Sequence, residues 1–227
     1  GTETAVLFGK YQLERVIGRG RSGTVFLARH LGLDEERAIK RVRRTESGFI
    51  QEAALLKRLR HPGIPIIYDL EIDENYYYLI EEYLCGESLY ARIERTGSLQ
   101  TGELIRLGIE LCRIMNYLHS FKPNPILYLD LHPGNLLICR EQLKLIDFDQ
   151  AALASLSQER SVCYGTKGFA APEQYEGGTL DERTDIYAIG ALLYYMGTGH
   201  APEGEIKAGQ GSCRGDLYIL MGRCLRT

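Results

Sequence analysis

The sequence has 227 residues, a length that suits one large domain or two small ones and allows a hydrophobic core without disulfide or metal staples. Hydrophobic residues make up 44% and charged residues 25% of the chain, which excludes disordered, collagenous and disulfide-scaffold proteins. The 27 Lys and Arg residues against 30 Asp and Glu give a net charge of −3. Nucleic acid is therefore not expected as a partner, because proteins that bind it carry a basic excess.

Six cysteines are spread singly along the chain, without the paired spacing of a zinc site or the density of a secreted scaffold. We expect reduced thiols and a cytoplasmic location. The longest apolar run, residues 186–197, falls well short of the roughly 20 residues that span a bilayer, and the N-terminus lacks a signal-peptide pattern. No membrane segment is expected within this chain, which also fits the cytosolic domain of a longer, membrane-anchored protein.

Strand patterns dominate the first part of the chain. Runs rich in β-branched and aromatic residues predict strands at residues 11–17, 24–30, 37–42, 66–72 and 76–82. Apolar residues at helical spacing predict one helix over residues 49–59, which ends before His61-Pro62-Gly63. The pattern becomes helical from Ser88 onward. We therefore expect a boundary near Cys85-Gly86, with an N-lobe over residues 1–85 and a C-lobe over residues 86–227.

Helices dominate the second part. An apolar stripe predicts an amphipathic helix over residues 101–121, and residues 185–196 are apolar on nearly every side, which predicts a buried helix. Short strands are predicted at residues 126–131, 136–139 and 143–146, followed by a long loop over residues 147–172, and such loops are usually functional. The implied fold is α+β and bilobal, with a β-rich N-lobe that has one main helix and a mainly helical C-lobe.

A glycine cluster lies between the first two predicted strands. Gly18, Gly20 and Gly23 permit a tight hairpin whose backbone amides can approach phosphate groups. A dinucleotide-binding motif is excluded because no helix follows the third glycine, although the cluster alone also fits an ordinary hairpin. Lys40 stands seventeen residues after Gly23, and Glu52 follows twelve residues later on the predicted helix. That spacing suits a lysine that neutralises phosphate oxygens and pairs with a glutamate.

With four later motifs in addition, the chain resembles the eukaryotic-like Ser/Thr protein kinases of bacteria over about residues 11–226. Residues 128–135, Tyr-Leu-Asp-Leu-His-Pro-Gly-Asn, resemble the catalytic loop, and residues 147–149, Asp-Phe-Asp, are similar to the metal-binding tripeptide. Residues 165–173 resemble the segment that docks the substrate, and residues 185–190 resemble the start of the central buried helix. The five motifs occur in the order that the family shows.

The resemblance implies ATP-dependent phosphoryl transfer to serine or threonine hydroxyls of a protein substrate, with ATP and Mg²⁺ as cofactors. Asp130 takes the position of the catalytic base, and Asn135 and Asp147 those of the magnesium ligands. His132 stands near the transferred phosphate, where the family places a lysine, and Thr166 lies against the catalytic aspartate.

The resemblance also assigns residues to nucleotide binding and to the core. The implied nucleotide contacts are Gly18, Gly20, Gly23, Val25, Ala38, Lys40, Glu82, Leu84 and Leu137. The residues that match the family's apolar stack are Leu56, Leu70, Tyr128 and Phe148. Since Lys40 and Asp147 act on phosphate charge and not in core packing, replacing either is expected to leave the fold intact.

Three departures from the family pattern affect the expected regulation. Leu129 replaces the arginine before the catalytic aspartate, so phosphates at Ser155, Ser157 or Ser161 are expected to have little effect on activity. Asp149 replaces a glycine. The family continues into a further helix whose arginine pairs with the residue equivalent to Glu173, so the C-lobe is expected to be abbreviated or the sequence cut, leaving Glu173 without that arginine.

Two other functions are weighed against a protein kinase. Residues 130–135 are also similar to small-molecule phosphotransferases of the aminoglycoside-kinase type, which the docking segment 165–173 disfavours. A pseudokinase that binds a nucleotide or a partner without turnover is the third interpretation, and the complete set of expected catalytic residues disfavours it. The sequence does not indicate an oligomeric state, a physiological substrate or an activating signal.

Overall fold

The structure, a computed structural model, describes residues 5–20, 23–45, 49–157 and 165–203. The chain divides into two compact units, and the boundary lies between Cys85 and Gly86. Ser161 and residues 204–227, which form the end of the expected C-lobe, lie outside the described residues.

The first unit is built on a six-stranded antiparallel sheet. Its strands are β1 (Val6–Leu7), β2 (Tyr11–Arg19), β3 (Thr24–His30), β4 (Glu35–Arg43), β5 (Ile67–Ile72) and β6 (Tyr76–Glu82). They lie in the order β1-β2-β3-β4-β6-β5. Two of the five predicted strands have the predicted bounds and the other three agree within two residues, while β1 was not predicted.

The two faces of this sheet carry different side chains. One face holds a buried cluster that includes Tyr11, Ile39 and Ile80. Lys40 is the next residue after Ile39 and pairs across the strands with Val25, so both side chains lie on the opposite face. The alternation along β4 therefore separates the core of the sheet from the face that carries the candidate lysine.

One helix, α1 (Phe49–Leu56), interrupts the strands and ends three residues earlier than predicted. Its hydrogen-bond pattern tightens after this point, because the amides of Arg58 and Leu59 donate to carbonyls three residues back instead of four. The apolar pattern continues through this turn, and Leu59 is buried although it lies outside the helix. Sequence periodicity therefore overestimates the length of the helix.

The second unit combines helices with two small sheets. Its helices are α2 (Leu89–Thr96), α3 (Thr101–His119), α4 (Ala154–Ser157), α5 (Pro172–Glu176) and α6 (Glu182–Thr198). Its strands are β7 (Glu87–Ser88), β8 (Ile126–Leu127), β9 (Leu136–Cys139), β10 (Gln142–Leu145) and β11 (Ala152–Leu153). The sheets have the orders β10-β9-β7 and β11-β8.

Two long helices form the centre of this unit. Helix α6 is buried along most of its length, as predicted, and the Asp181 side chain caps it by accepting from the Arg183 amide. Helix α3 packs against it at Gly108, where an added Cβ would lie 3.0 Å from Leu193 Cδ2. Within the part of the chain that the structure describes, no helix is both long and apolar enough to cross a membrane.

Two sequence predictions fail in the second unit. Only Ile126–Leu127 of the expected strand 126–131 forms a ladder, since Leu129 has φ of +67°, which a strand cannot accommodate. The expected long loop 147–172 contains β11 and α4, and α5 begins at its last residue. Both differences concern backbone that is held by contacts distant in sequence.

Candidate active site

A buried ion pair connects β4 and α1 in the first unit. Lys40 Nζ lies 3.0 Å from Glu52 Oε1 and 2.9 Å from Oε2. The two side chains are 8% and 4% exposed. Removing one partner of such a pair leaves a buried charge uncompensated, which is costly. The spacing of Lys40 and Glu52 in the sequence predicts this pairing, and the structure contains it.

The glycine cluster forms the turn between β2 and β3. Gly18 pairs with Val25, and the Gly20 amide donates to the Gly23 carbonyl oxygen at 2.9 Å. An added Cβ on Gly23 would lie 2.1 Å from the Arg41 carbonyl oxygen, whereas one on Gly20 would meet no atom of the described residues within 4 Å. Gly23 is therefore required for close packing on β4.

Val25 and Ala38, two of the expected nucleotide contacts, lie on the same face of the sheet as Lys40, which is the third. Val25 pairs with Lys40, and Ala38 lies two residues before Lys40 on the same strand. The Glu82 amide, by contrast, donates to the Ile66 carbonyl oxygen at 2.8 Å. Glu82 could therefore contact an adenine through its carbonyl group and not through its amide.

The segment before Asp130 is fixed in the second unit by one buried carboxylate. Asp185, which is 1% exposed, accepts hydrogen bonds from the amides of Tyr128 and Leu129, each at 2.9 Å. The third contact of Asp185 is His119 Nε2 at 2.8 Å. These bonds hold the backbone in the left-handed conformation at Leu129, which an L-residue adopts only when its surroundings enforce it.

Asp130, Asn135 and Thr166 come together around the Asp130 carboxylate. Asn135 Nδ2 donates to the Asp130 carbonyl oxygen at 3.0 Å and lies 3.3 Å from Oδ2. The Thr166 hydroxyl donates to Asp130 Oδ1 at 3.3 Å. The Asp130 side chain is 22% exposed, so it is held on two sides and reachable from solvent.

His132 begins the single turn of 3₁₀ helix at Pro133–Asn135. Its Nδ1 accepts from the Gly134 amide at 3.1 Å, and its Nε2 lies 3.8 Å from Asp130 Oδ1. Burial lowers the pKa of His132 below its usual value. A neutral imidazole at pH 7 offers an N–H donor, so His132 does not replace the positive charge of the lysine that the family places here.

This burial predicts a pH dependence of stability. Since the unfolded chain binds the His132 proton more readily, the free energy of unfolding should fall as the pH drops through about 6.5, the usual histidine pKa. His132→Asn keeps an acceptor for the Gly134 amide and does not titrate. Urea unfolding at about pH 7.5 and 5.5 should therefore show a smaller loss in the variant. An equal loss in both proteins would contradict the prediction.

Asn135 and Asp147 lie at the same end of the β9–β10 hairpin. The Ile146 amide donates to the Asn135 carbonyl oxygen at 2.9 Å, which brings the two residues into register. Because Asn135 Nδ2 is bound to Asp130, its side-chain oxygen is the atom left for a cation. The exposed Asp147 supplies a carboxylate, and oxygen ligands of this kind fit Mg²⁺.

Tyr128 positions the backbone at Asp147. Its hydroxyl donates to the carbonyl oxygens of Ile146 and Asp147, the latter at 2.8 Å. Burial raises the pKa of Tyr128 well above its usual value, so the hydroxyl stays protonated. Its ring meets Phe148 edge to face, with centroids 5.2 Å apart. Of the other residues expected in the apolar stack, Leu56 is 1% exposed, but Leu70 is 40% exposed and does not fit a buried stack.

The segment that resembles a substrate-docking element is held by two polar residues that the sequence did not single out. Gln174 Nε2 donates to the Leu129 carbonyl oxygen at 2.7 Å, and the Thr184 hydroxyl donates to Glu173 Oε1 at 2.8 Å. Glu173 therefore has a hydrogen-bond partner among the described residues. Helix α5 is too short for periodicity to mark Gln174 as buried.

Comparison with known proteins identifies the family. The family model described as "Protein kinase domain" matches residues 11–214. Serine/threonine-protein kinase PrkC of Bacillus subtilis is 35% identical over 209 residues, which are 87% of this chain and 32% of that protein. Serine/threonine-protein kinase pkn3 of Myxococcus xanthus is 30% identical over 213 residues, 85% of this chain and 38% of that protein.

A third relative is also named a serine/threonine-protein kinase. Serine/threonine-protein kinase PknB of Mycolicibacterium smegmatis is 32% identical over 213 residues, 86% of this chain and 33% of that protein. The chain thus spans about a third of the length of the curated relatives that it matches. The resemblance found in the sequence motifs is confirmed, and the chain belongs to the protein kinase domain family.

Proposed function

We propose that this chain transfers the γ-phosphoryl group of ATP to serine and threonine hydroxyls of protein substrates. The observation that carries this proposal is the hydrogen bond from the Thr166 hydroxyl to Asp130 Oδ1 at 3.3 Å. It places an aliphatic hydroxyl against the carboxylate that the proposal makes the base, close to the distance that proton transfer needs. The names of the relatives, serine/threonine-protein kinases, favour the same acceptor.

Asp130 is the proposed general base. Asn135 holds its carboxylate from one side, and the side chain is 22% exposed, so an incoming hydroxyl can reach it. As the acceptor oxygen forms its bond to the γ-phosphorus, its proton passes to Asp130, and the bond between that phosphorus and the bridging oxygen of ADP breaks. His132 supplies an N–H donor near the same carboxylate and no charge.

Charge neutralisation is the second part of the proposal. Lys40, oriented by Glu52, would contact phosphate oxygens, and backbone amides of the glycine turn would approach them. Asn135 and Asp147 would hold Mg²⁺, which supplies positive charge against the phosphates when it is bound. Tyr128 keeps the Asp147 backbone in place for this role.

The remaining nucleotide contacts are proposed on the family resemblance. They are Gly18, Gly23, Val25, Ala38, Glu82, Leu84 and Leu137. The proposed partners are ATP and a protein with a serine or threonine acceptor. Because ATP is a cytoplasmic metabolite, we also propose a cytoplasmic location. The reduced thiols of Cys85 and Cys112 are consistent with it.

The experiment that tests this function compares acceptors. The chain is incubated with Mg²⁺ and γ-labelled ATP, with a generic protein substrate, with an aminoglycoside, or alone. We expect label in the protein substrate. Label confined to the aminoglycoside would favour a small-molecule phosphotransferase, and ATP binding without any transfer would favour a pseudokinase. The comparisons favour neither alternative.

Leu129 predicts that activity is insensitive to phosphorylation of the activation segment. An arginine there would bind a phosphate through charge-assisted hydrogen bonds worth roughly 1.5 to 3 kcal/mol each, and leucine offers no such donor. Specific activity should therefore be similar for phosphatase-treated and autophosphorylated protein, with sites such as Ser155 and Ser157 mapped by mass spectrometry. A loss of about tenfold after dephosphorylation would mean that another cation such as Lys167 binds the phosphate.

A further inference from the structure

Gln174 of α5 is a buried amide that bonds at both ends. It is 5% exposed. Its Oε1 accepts from the Ala171 amide at 3.1 Å, and its Nε2 donates to the Leu129 carbonyl oxygen at 2.7 Å. The second bond joins residues 45 positions apart in the chain, so Gln174 fastens the segment around α5 to the loop that carries Asp130.

The carbonyl group that Gln174 binds belongs to the one residue of this loop whose backbone is strained. Leu129 has φ of +67°, a conformation that costs free energy for a leucine. Asp185 binds the amide of Leu129, and Gln174 binds its carbonyl oxygen, so the residue is fixed at both ends. That carbonyl belongs to the peptide group that leads into Asp130, so its orientation sets the direction of the Asp130 side chain.

The segment before α5 also packs on Gln174. An added Cβ on Gly165 would lie 3.2 Å from Gln174 Nε2 and 2.2 Å from Ala170 Cβ, so this position has no room for a side chain. The next residue is Thr166, whose hydroxyl reaches Asp130. The Gln174 amide group therefore bonds to the strained carbonyl group before Asp130 and lies close to Gly165, the residue before Thr166.

We propose that Gln174 is a positioning residue, which sets the Asp130 loop and the 165–176 segment relative to each other through its bond to the Leu129 carbonyl oxygen. This bond requires no phosphate. It acts at Leu129, the position at which other kinases have the arginine that binds a phosphate. The 165–176 segment is thereby held against the Asp130 loop by a neutral amide, and this bond does not depend on phosphorylation. The proposal rests on the proposed function, since it assigns Asp130 a role in turnover.

The first test is Gln174→Glu, a change of nearly identical shape. The new carboxylate keeps an acceptor for the Ala171 amide, but it cannot donate to the Leu129 carbonyl oxygen. Small misplacements of a catalytic group cost up to about 100-fold, so we expect kcat to fall by about 10- to 100-fold with KM for ATP changed little. Glu176→Gln, an exposed change on the same helix, should leave kcat unchanged. A wild-type kcat in Gln174→Glu at a pH high enough to ionise the introduced carboxyl group would overturn the proposal.

A pH profile separates this role from general damage to the structure. When protonated, the introduced carboxyl group can donate to the Leu129 carbonyl oxygen, and burial favours the protonated form. The ratio of variant to wild-type kcat should therefore rise as the pH is lowered, because titrations that both proteins share cancel in the ratio. Gln174→Met, which cannot donate at any pH, should give a low and constant ratio. Parallel ratios for the two variants would overturn the proposal.

Amide hydrogen exchange provides a readout that does not need phosphoryl transfer. Exchange in peptides that cover residues 126–131 should be faster in Gln174→Met than in the wild type, because the loop loses one of its fixed points. Unchanged exchange would overturn the proposal even if kcat falls. Conversely, a wild-type chain that transfers no phosphate would refute the proposed function, and the exchange experiment would still decide whether Gln174 holds the loop.

Discussion

Lys40→Met is expected to lower phosphoryl transfer by at least roughly 10²- to 10³-fold, because it removes a fixed positive charge from the phosphates in the transition state. Initial rates with a generic protein substrate measure the effect. Asp147→Asn should act in the same direction, since it weakens the proposed cation site. Unchanged turnover in either variant would contradict the assignment of these two residues.

The structure also changes what Lys40→Met is expected to do to stability. From the sequence, this variant should leave the fold intact, but the ion pair with Glu52 is almost fully buried. Breaking a buried pair by removing one partner costs about 3 to 5 kcal/mol, so thermal unfolding of the single variant should occur at a lower temperature. The double variant Lys40→Met with Glu52→Gln removes both charges of the pair and should recover part of that stability without recovering activity. The double variant therefore separates loss of chemistry from loss of fold.

Asp130→Asn is expected to lower kcat by roughly 10²- to 10⁴-fold, the contribution typical of a general base, while ATP affinity changes little. The asparagine can accept from Asn135 Nδ2 through its oxygen and donate to the Thr166 hydroxyl oxygen through its amide nitrogen, so the loop should stay in place. Steady-state kinetics give kcat, and an equilibrium titration gives the affinity for ATP with Mg²⁺.

A matched control removes a carboxylate elsewhere in the same unit. Glu141 is 71% exposed and pairs with Arg106 at the turn of the β9–β10 hairpin. Exposed ion pairs contribute about 0 to 1 kcal/mol to the free energy of unfolding, so Glu141→Gln should keep its fold and retain full activity. If Asp130→Asn instead lost ATP binding with its fold intact, Asp130 would have a role in nucleotide binding and not the role of a base.

Local patterns predicted most of the regular structure. Strands β3 and β6 have the bounds that their β-rich runs predict, and α3 begins at Thr101 as predicted and ends two residues before the predicted end. These elements are long enough for periodicity to be visible and are bounded by turn residues. Strand β1 is only two residues long, so it has no period to detect.

Contacts between distant residues were beyond such patterns. Leu129 lies in an apolar run and resembles part of a strand, yet its backbone conformation is fixed by Asp185, which is 56 positions away. The hydrogen bonds of Gln174 and of the Tyr128 hydroxyl also join residues that are distant in the sequence. Family resemblance predicted the candidate site residues, whereas the partners that orient them follow only from the tertiary structure.

The most direct test of the proposed function is phosphoamino-acid analysis of a generic protein substrate after incubation with the wild-type chain, Mg²⁺ and γ-labelled ATP. We predict label on serine or threonine, none when Mg²⁺ is removed by a chelator, and a loss of roughly 10²- to 10⁴-fold with Asp130→Asn. A wild-type chain that binds ATP but leaves every serine and threonine unlabelled would contradict the proposed function. Undiminished labelling by the Asp130→Asn variant would contradict the proposed base.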